Sequence, residues 1–448
     1  MSAPALILPT TQSKGQLDRF LSLFAEVRPG EGIGALLLAA NVFLLLAAYY
    51  ILKTVREALI LTEGGAEIKA YSSAGQALLL LLIIPAYGVL ASKVKRDRLI
   101  TFVTLFFASH IILFYLAGVW GFRVGILFFL WVGIFNLLVI AQFWAFANDH
   151  YAKEQGSRLF AIVGIGSSLG AWVGSVQAGR LFPIFGTYGL MLVACGLLLL
   201  CVVVKRLLNS FPRAFNKNSL TIGEQPLKKT GAFRLIRNSR YLFWIAMLMV
   251  LVNVVNTTGE FILGKLVVEN ADRMIAGGTV SATQKPEIIG AFYGSFFSWV
   301  NLAGMLFQLF LVSRIFKYIG IRGALFILPT IALGGYAFAA VIPLLPILRS
   351  VKILENGTDY SIQNTARHAL FLRTSREAKY KAKAAIDSFF WRAGDVLAAA
   401  LVFAGTQLAF TTRAYASINA VLVLLWIAVV VIITREHRKL SSDAEELA

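Results

Sequence analysis

Long apolar runs separated by short polar stretches dominate the chain, and their lengths predict helices that cross a membrane. A spanning helix needs about 20 mostly apolar residues. Such runs occur in two sets of six. The first set covers 34–60, 72–92, 99–119, 124–148, 159–180 and 186–205, and the second covers 241–266, 288–313, 323–344, 346–367, 384–408 and 416–434. The pattern predicts an all-α polytopic membrane protein with twelve transmembrane helices in two six-helix halves.

The polar stretches between and outside these runs predict the domain organisation. The predicted segments are a cytoplasmic N-terminal segment 1–33, an N-terminal half 34–205, a basic cytoplasmic linker 206–240, a C-terminal half 241–434 and a cytoplasmic tail 435–448. Four apolar residues share one face of a helix over 14–28, namely Leu17, Phe20, Leu21 and Phe24. That face predicts a helix lying on the membrane surface, with an ordinary polar lead-in as the alternative.

Composition and charge agree with a membrane protein. Hydrophobic residues make up 58% of the chain and charged residues only 15%, whereas soluble domains carry about 25% charged residues. The net charge of +19 would suggest a nucleic-acid partner in a soluble protein. With the N-terminus placed inside, however, the predicted cytoplasmic segments hold 30 Lys and Arg and the outer segments hold 6. The positive-inside rule therefore predicts cytoplasmic termini and accounts for the charge without nucleic acid.

The residues that could support enzymatic chemistry or metal binding are sparse. The chain has two cysteines and four histidines, and these histidines are scattered without carboxylates at ligand spacing. No serine lies in a nucleophile elbow. The apolar run at Ala5–Leu8 is too short for a signal peptide. We therefore expect no enzyme, no metal and no cofactor.

Glycines at 164–174 superficially resemble a phosphate-binding loop. They lie inside a predicted span, however, and the Gly-Lys-Ser/Thr ending of such loops is missing. Gly166, Gly170 and Gly174 recur at a spacing of four, which is typical of a helix face that packs closely against another helix.

Charged and amide residues inside the apolar runs carry the main functional signal. A charge at membrane depth costs at least a few kcal/mol, so it normally faces a partner or a water-filled cavity. These residues concentrate in the first, fourth, seventh and tenth spans: Lys53, Arg56 and Glu57; Asn148 and Asp149; Asn253, Asn256, Glu260 and Lys265; Arg349, Lys352, Glu355, Asn356 and Asp359. In a two-halved bundle built from three-helix repeats, those four spans surround a central cavity.

Within these spans, residue spacing supports the same interpretation. Tyr49, Lys53 and Arg56 are separated by four and three residues, which places them on one helix face. The alternative is that neighbouring opposite charges only fix helix register. The pairs in question are Arg56–Glu57, Lys352–Glu355 and Arg392–Asp395. In the eleventh span Asp387, Arg392 and Asp395 depart from the three-helix period and are interpreted as gating or packing pairs.

Four stretches, 90 of the 448 residues, resemble a known family. They are NVFLLLAAYYILKTVREALILT (41–62), QFWAFANDHYAKEQGSRLFAIVGIG (142–166), NVVNTTGEFILGKL (253–266) and DYSIQNTARHALFLRTSREAKYKAKAAID (359–387). In order and position they are similar to segments of the ATP:ADP antiporters of plastids and intracellular bacteria. The resemblance implies a major-facilitator-like fold and the exchange of nucleotides across a membrane.

The resemblance also implies individual site residues. The family's functional first-helix Lys falls on Arg56, and the Arg before it falls on Lys53. Its fourth-helix Glu corresponds to Asp149 and its seventh-helix Glu to Glu260. Its late Lys falls on Lys381 or on Lys383.

Departures from the family pattern indicate a divergent branch. The family's Lys-Glu pair in the last stretch is lost in Thr365–Phe371, and Ala382 replaces a glycine. The chain lacks the long N-terminal extension of the plastid members, which points to a bacterial inner membrane. The identity of the transported anion stays open.

Three functions are compatible with the sequence. For a nucleotide antiporter, the candidate substrate-binding residues are Tyr49, Lys53, Arg56, Asn253, Asn256, Arg349 and Lys352, and the candidate gating or coupling residues are Glu57, Asp149, Glu260, Lys381, Lys383 and Asp387. The second function is a proton-coupled carrier of another organic anion or phosphorylated metabolite. The third is a non-transporting membrane receptor or scaffold. The expected partners are a small anionic substrate and the lipid bilayer; the oligomeric state is open, and a monomer is consistent with the sequence.

Overall fold

The computed structural model describes residues 15–93, 96–151, 153–210, 231–372 and 374–446. Within these ranges every regular element is helical. The α-helices are α1 Gln16–Leu21, α2 Gly32–Lys93, α3 Arg96–Val119, α4 Gly125–His150, α5 Lys153–Asn209, α6 Ala232–Asn238, α7 Arg240–Ala276, α8 Lys285–Leu306, α9 Val312–Tyr318, α10 Gly320–Val341, α11 Leu345–Thr358, α12 Asn364–Leu370, α13 Lys383–Ala385, α14 Trp391–Gln407 and α15 Thr412–Glu446. A 3₁₀ turn covers Ala282–Gln284, and four π-helical turns cover Phe307–Leu311, Asp359–Gln363, Ala378–Ala382 and Ile386–Phe390.

Nine helical stretches of the described residues are long and apolar enough to cross a membrane. Two of them, Gly32–Val89 and Arg158–Asn209, contain 58 and 52 residues, more than twice the length of about 20 that one crossing needs. Each is interrupted by a glycine with positive φ, Gly65 at 71° and Gly186 at 62°, a conformation that residues with a Cβ rarely adopt. Gly65 falls between the first and second predicted runs, and Gly186 is the first residue of the sixth. The all-α polytopic class is confirmed, and the count of twelve stays a prediction.

The predicted ninth and tenth runs form separate helices. α10 ends at Val341 and α11 begins at Leu345, with Pro346 in the first turn of α11. Proline is tolerated there because the first amides of a helix have no partner within the helix. The tenth run then continues from α11 through a π-helical turn into α12.

A glycine face joins α5 to α2. A Cβ added at Gly166 would lie 2.5 Å from the carbonyl oxygen of Ala39, and one added at Gly170 would lie 2.4 Å from that of Phe43. Gly174 repeats the close approach one turn later. Only glycine lets the two backbones come this near. The predicted close-packing face is thus confirmed.

The two halves of the bundle touch at the end that contains Gly65 and Gly186. There α5 and α8 approach so closely that a Cβ on Gly294 would lie 2.4 Å from the Cα of Gly179. At the same end, Lys265 of α7 lies 4.0 Å from Glu67 of α2. This closure leaves the cavities described below on the other side of the contact.

The segment before α2 folds back on the bundle. The helix α1 covers only Gln16–Leu21 and is much shorter than the predicted 14–28. Both carboxylate oxygens of Asp18 accept backbone hydrogen bonds, from Gly30 N and Gly32 N at 3.0 Å each. Leu21 is buried, whereas Phe20 and Phe24 are 59% and 52% exposed. Placement of this segment on a membrane surface stays a prediction.

Candidate functional site

Two adjoining cavities lie in the middle of the bundle. The polar cavity, about 190 Å³, is lined by ionic residues that include Arg56, Glu57, Lys69, Glu260 and Arg392. The aromatic cavity, about 430 Å³, is lined by Tyr49, Tyr50, Trp144 and Tyr360 together with amide and aliphatic side chains. Lys53 and Tyr360 line both cavities. The two therefore meet at these residues and form one elongated chamber.

The walls of this chamber come partly from the spans in which polar residues concentrate and partly from the second, fifth, eighth and eleventh spans, which supply Gln76, Ser167, Asn301 and Arg392. α2 supplies Lys53 and Arg56, α4 supplies Trp144, and α7 supplies Glu260. The tenth predicted span contributes Tyr360 from its π-helical turn. Helices spaced three apart along the chain thus meet around a common space, as the polar period of the sequence indicates.

A chain of ion pairs crosses the polar cavity from one half of the bundle to the other. Glu57 is paired with Arg56 and with Lys69, whose Nζ lies 2.6 Å from Glu57 Oε2. Lys69 Nζ lies 3.9 Å from Glu260 Oε2 on α7. Glu260 is in turn 3.7 Å from Lys352 Nζ. Glu57 is only 1% exposed and Lys352 is fully buried, so these charges depend on one another for solvation.

A second polar cluster lies between α7 and α14. Asn253 donates hydrogen bonds to Asp395 Oδ1 at 2.9 Å and to the Trp391 carbonyl at 2.7 Å. Thr257 donates to the same carboxylate at 3.1 Å, and Arg392 is paired with it at 3.2 Å. The amide of Asn253 is therefore engaged inside the protein.

Lys53 differs from every other cation of the chamber. Across the described ranges no carboxylate lies within ion-pair distance of its ammonium group. Its neighbours are instead the rings of Phe297, 4.2 Å away, and Tyr50, 5.3 Å away. Ring faces attract a cation but do not neutralise it. The junction of the two cavities therefore holds an uncompensated positive charge, which suits an anionic ligand.

The predicted substrate residues fall into two groups. Tyr49, Lys53, Arg56 and Asn256 line the chamber. The other three lie behind its walls: Asn253, Arg349 and Lys352.

Each of these three has a partner inside the protein. Asn253 is held by Asp395 as described above, and Lys352 donates to Asn256 Oδ1 at 2.9 Å from a fully buried position. Arg349 lies one turn before Lys352 in α11 and donates to Ser295 Oγ at 2.8 Å. The shared helix face alone did not separate residues that reach the chamber from those that support its wall.

The predicted gating residues are likewise divided. Glu57 and Glu260 line the polar cavity. Lys383 and Asp387 form an ion pair with each other near α13, away from both cavities. Lys381 lies on the adjacent π-helical turn Ala378–Ala382. The backbone of Asp149 lies at the end of α4, and its side chain is outside the part of the chain that the structure describes.

The three ion pairs considered as register-fixing alternatives are all present. They are Arg56–Glu57, Lys352–Glu355 at 3.2 Å and Arg392–Asp395 at 3.2 Å. The first and the third also line the polar cavity. A residue can therefore form an ion pair and line the chamber at the same time.

Sequence reasoning missed several chamber residues. Lys69 was assigned to an outer segment, but it lies within α2 and is only 7% exposed. Asn136 and Gln308 line the aromatic cavity, but their runs also contain the amides Gln142 and Asn301, so the sequence did not single them out. For Lys69, the sequence carried no signal of its contact with Glu57, because the helix is broken at Gly65 between them and helical spacing does not relate the two residues. The described residues contain no group of three or more His, Cys, Asp or Glu that could hold a metal.

Comparison with known proteins confirms the resemblance inferred from the sequence. No protein-family model matches the chain. ADP,ATP carrier protein 1 of Rickettsia bellii is 21% identical over 98% of this chain and 100% of its own length. ADP,ATP carrier protein 1 of Chlamydia muridarum is 24% identical over 56% of this chain and 53% of its own length. The corresponding Chlamydia pneumoniae protein is 23% identical over 56% of this chain and 54% of its own.

Solved structures confirm a major-facilitator-like fold. The nucleoside transporter NupG matches with a TM-score of 0.63 at 14% identity, over 88% of this chain and 98% of that one. A bacterial homologue of the iron transporter ferroportin in an inward-facing state matches with a TM-score of 0.62 at 14% identity, over 90% and 98%. At such identities the likeness concerns the fold alone.

Proposed function

We propose that this chain is a membrane transporter that exchanges nucleotides of the ATP/ADP type by alternating access. The observation that carries the proposal is Lys53, a cation without a carboxylate partner among the described residues, at the junction of the two cavities. The shared name of the curated relatives supports nucleotides as the anion. We treat the chain as a carrier and not as an enzyme.

We further propose a bacterial inner membrane with both termini in the cytoplasm. Support comes from the 30 basic residues of the predicted cytoplasmic segments against 6 on the other side. In this orientation the Gly65 and Gly186 end faces outward. The contact between Gly179 and Gly294 then closes the outer side, while Tyr360, 46% exposed, borders an opening to the cytoplasm. For the two six-helix halves, the linker and the tail we propose the bounds that the sequence predicts.

Phosphate binding follows from the chemistry of Lys53 and Arg56. Lys53 offers a point charge, and the guanidinium of Arg56 can donate two parallel hydrogen bonds to one phosphate. Arg56 is already paired with Glu57. Arg56 and Lys69 both line the polar cavity, so an arriving phosphate competes with Glu57 and Glu260 for both cations and weakens the Glu57–Lys69–Glu260 chain that joins the halves. This competition links substrate binding to opening of the outer side.

Obligatory exchange follows from the same charge. An empty carrier that closes around Lys53 would enclose an uncompensated cation, which is costly in a low-dielectric interior. A bound anion removes this cost, so the loaded carrier crosses between states faster than the empty one. Exchange of ATP for ADP moves one net charge, which couples to membrane potential at roughly 2.3 kcal/mol per 100 mV.

The test uses purified protein in liposomes loaded with ADP. We expect entry of labelled ATP to require internal nucleotide. Lys53→Gln should abolish exchange, whereas Lys317→Gln on α9 should leave it unchanged, because Lys317 lies outside both cavities. Equal uptake with and without internal nucleotide would contradict exchange. Uptake that depends on a proton gradient instead would favour the proton-coupled carrier.

The alternatives have less support from the geometry. A proton-coupled carrier needs a carboxylate that loses its cation, but Glu57 is paired with two cations and Glu260 accepts a hydrogen bond from Asn356 at 3.0 Å. A scaffold without transport does not need a chamber with a free cation at its centre.

A further inference from the structure

The aromatic cavity has a chemistry different from that of the polar cavity. Its wall contains Trp144, Tyr49 and Tyr360, and Lys53 is its only charged lining residue among those described. A polyphosphate would therefore meet only one cation along this described lining. Flat rings with apolar faces favour stacking of a planar ligand instead.

Two amide side chains that line this cavity are available for hydrogen bonding to a ligand. Asn136 and Gln308 have no hydrogen-bond partner within the described part of the chain. The amide of Asn301, on the same wall, is engaged with Ser175 Oγ at 2.9 Å. Each free amide offers a donor and an acceptor, so it can pair with a ligand edge that presents both.

The backbone geometry of the wall supplies an independent observation. Gln308 lies in the π-helical turn Phe307–Leu311, and Tyr360 lies in the turn Asp359–Gln363. A π-helical turn gives up regular i to i−4 hydrogen bonding and occurs frequently at functional sites. Both turns face the same cavity from different helices. Their coincidence indicates a surface shaped for a ligand and not only for packing.

From these features, and resting on the proposed function, we infer that the aromatic cavity is the nucleobase subsite. The base stacks on Trp144, and Asn136 and Gln308 read its hydrogen-bonding edge. The phosphates extend past Tyr360 to Lys53 and Arg56 in the polar cavity. Because Lys53 and Tyr360 line both cavities, one ligand with a planar end and an anionic end spans the chamber.

The experiment measures the contribution of the base separately from that of the phosphates. Thermal stabilisation of purified protein is titrated with ATP and with inorganic tripolyphosphate, which has the charge but no base; binding to the folded state raises the melting temperature. We expect the wild type to bind ATP more tightly than tripolyphosphate. Trp144→Ala and Gln308→Ala should each weaken ATP binding about tenfold. Their affinity for tripolyphosphate should not change.

Controls keep the result interpretable. Trp144→Phe retains a ring and should retain most of the preference for ATP. Trp299→Ala removes a tryptophan that is 54% exposed and lines neither cavity, so it should change nothing. Gln308 is exposed to the cavity, so its loss should spare folding even where the loss of Trp144 does not.

The outcomes distinguish a failure of the nucleobase subsite from a failure of the proposed nucleotide exchange. Equal affinities of the wild type for ATP and tripolyphosphate overturn the subsite and leave nucleotide exchange standing. An ATP preference that survives Trp144→Ala, Asn136→Ala and Gln308→Ala also overturns it. Absence of stabilisation by both ligands overturns the proposed function and the subsite together.

Discussion

The ammonium group of Lys69 lies 2.6 Å from a carboxylate oxygen of Glu57, and the two residues stand on opposite sides of the break at Gly65 in α2. The pair thus ties together the two parts of one interrupted helix. Because Lys69 is also 3.9 Å from Glu260 of α7, the same cation connects the N-terminal and C-terminal halves. A single buried side chain therefore links a helix break, a buried carboxylate and the contact between halves.

Lys69→Gln should destabilise the protein strongly. The change removes one of the two cations paired with the buried Glu57, and the cost of leaving a buried charge wholly unpaired, about 3–5 kcal/mol, is its upper bound. We expect a clear fall in melting temperature. The matched control is Lys285→Gln, which removes a pair with the 54% exposed Asp272; surface pairs contribute about 0–1 kcal/mol. Similar melting temperatures for the two variants would contradict the role of Lys69.

Lys53→Met should separate stability from binding. Removal of an unpaired, partly buried cation relieves a desolvation cost, so the melting temperature should stay the same or rise. Loss of a charge-assisted contact should weaken nucleotide binding by about tenfold or more. Arg56→Met is the contrast, because it leaves Glu57 without one of its two cations and should lower the melting temperature. A stabilising role for Lys53 would show as a lower melting temperature in Lys53→Met.

Gly170→Ala should disrupt the contact between α5 and α2. Its new Cβ would lie 2.4 Å from the carbonyl oxygen of Phe43, and backbone cannot yield as a flexible side chain does. Overpacking of this kind costs about 1–3 kcal/mol. Gly164→Ala on the same helix is the control, because nothing lies within 4 Å of its added Cβ. Thermal melting of the two variants measures the difference, and equal melting temperatures would rule out the close contact.

The N-terminal segment, residues 15–31, should be less stably folded at acidic pH. Burial raises the pKa of Glu31, but hydrogen bonds from Arg158, the Arg28 amide and Gln155 outweigh it and hold that pKa below its usual value. A carboxylate with a lowered pKa stabilises the folded state above its unfolded pKa, and this contribution disappears as the pH falls through the folded pKa. Protection of the amides of residues 15–31 against hydrogen exchange, taken relative to the intrinsic rate at each pH, should therefore fall at acidic pH. Glu31→Gln should remove this pH dependence. The same pH dependence in the variant as in the wild type would contradict the role of Glu31.

Local features of the sequence predicted much of this architecture. The apolar runs located the helices, and the glycine spacing of 166, 170 and 174 identified a packing face that α2 fills. Neighbouring opposite charges such as Lys352 and Glu355 identified an ion pair that forms within one helix. Each of these depends on residues close together in the chain, whose relative positions helix geometry fixes.

The tertiary structure determines which of the polar residues lie around the same chamber. Lys69 meets Glu57 only because Gly65 turns the chain, and it meets Glu260 only because the two halves pack together. Arg349 and Lys352 share a helix face, yet they find different partners in Ser295 and Asn256. The sequence by itself determined a membrane bundle with charge at its centre. The packing decided that Lys53 has no carboxylate within ion-pair distance, because Glu57, four residues further along the same helix, is paired with Arg56 and Lys69, and none of the described neighbouring helices supplies another carboxylate.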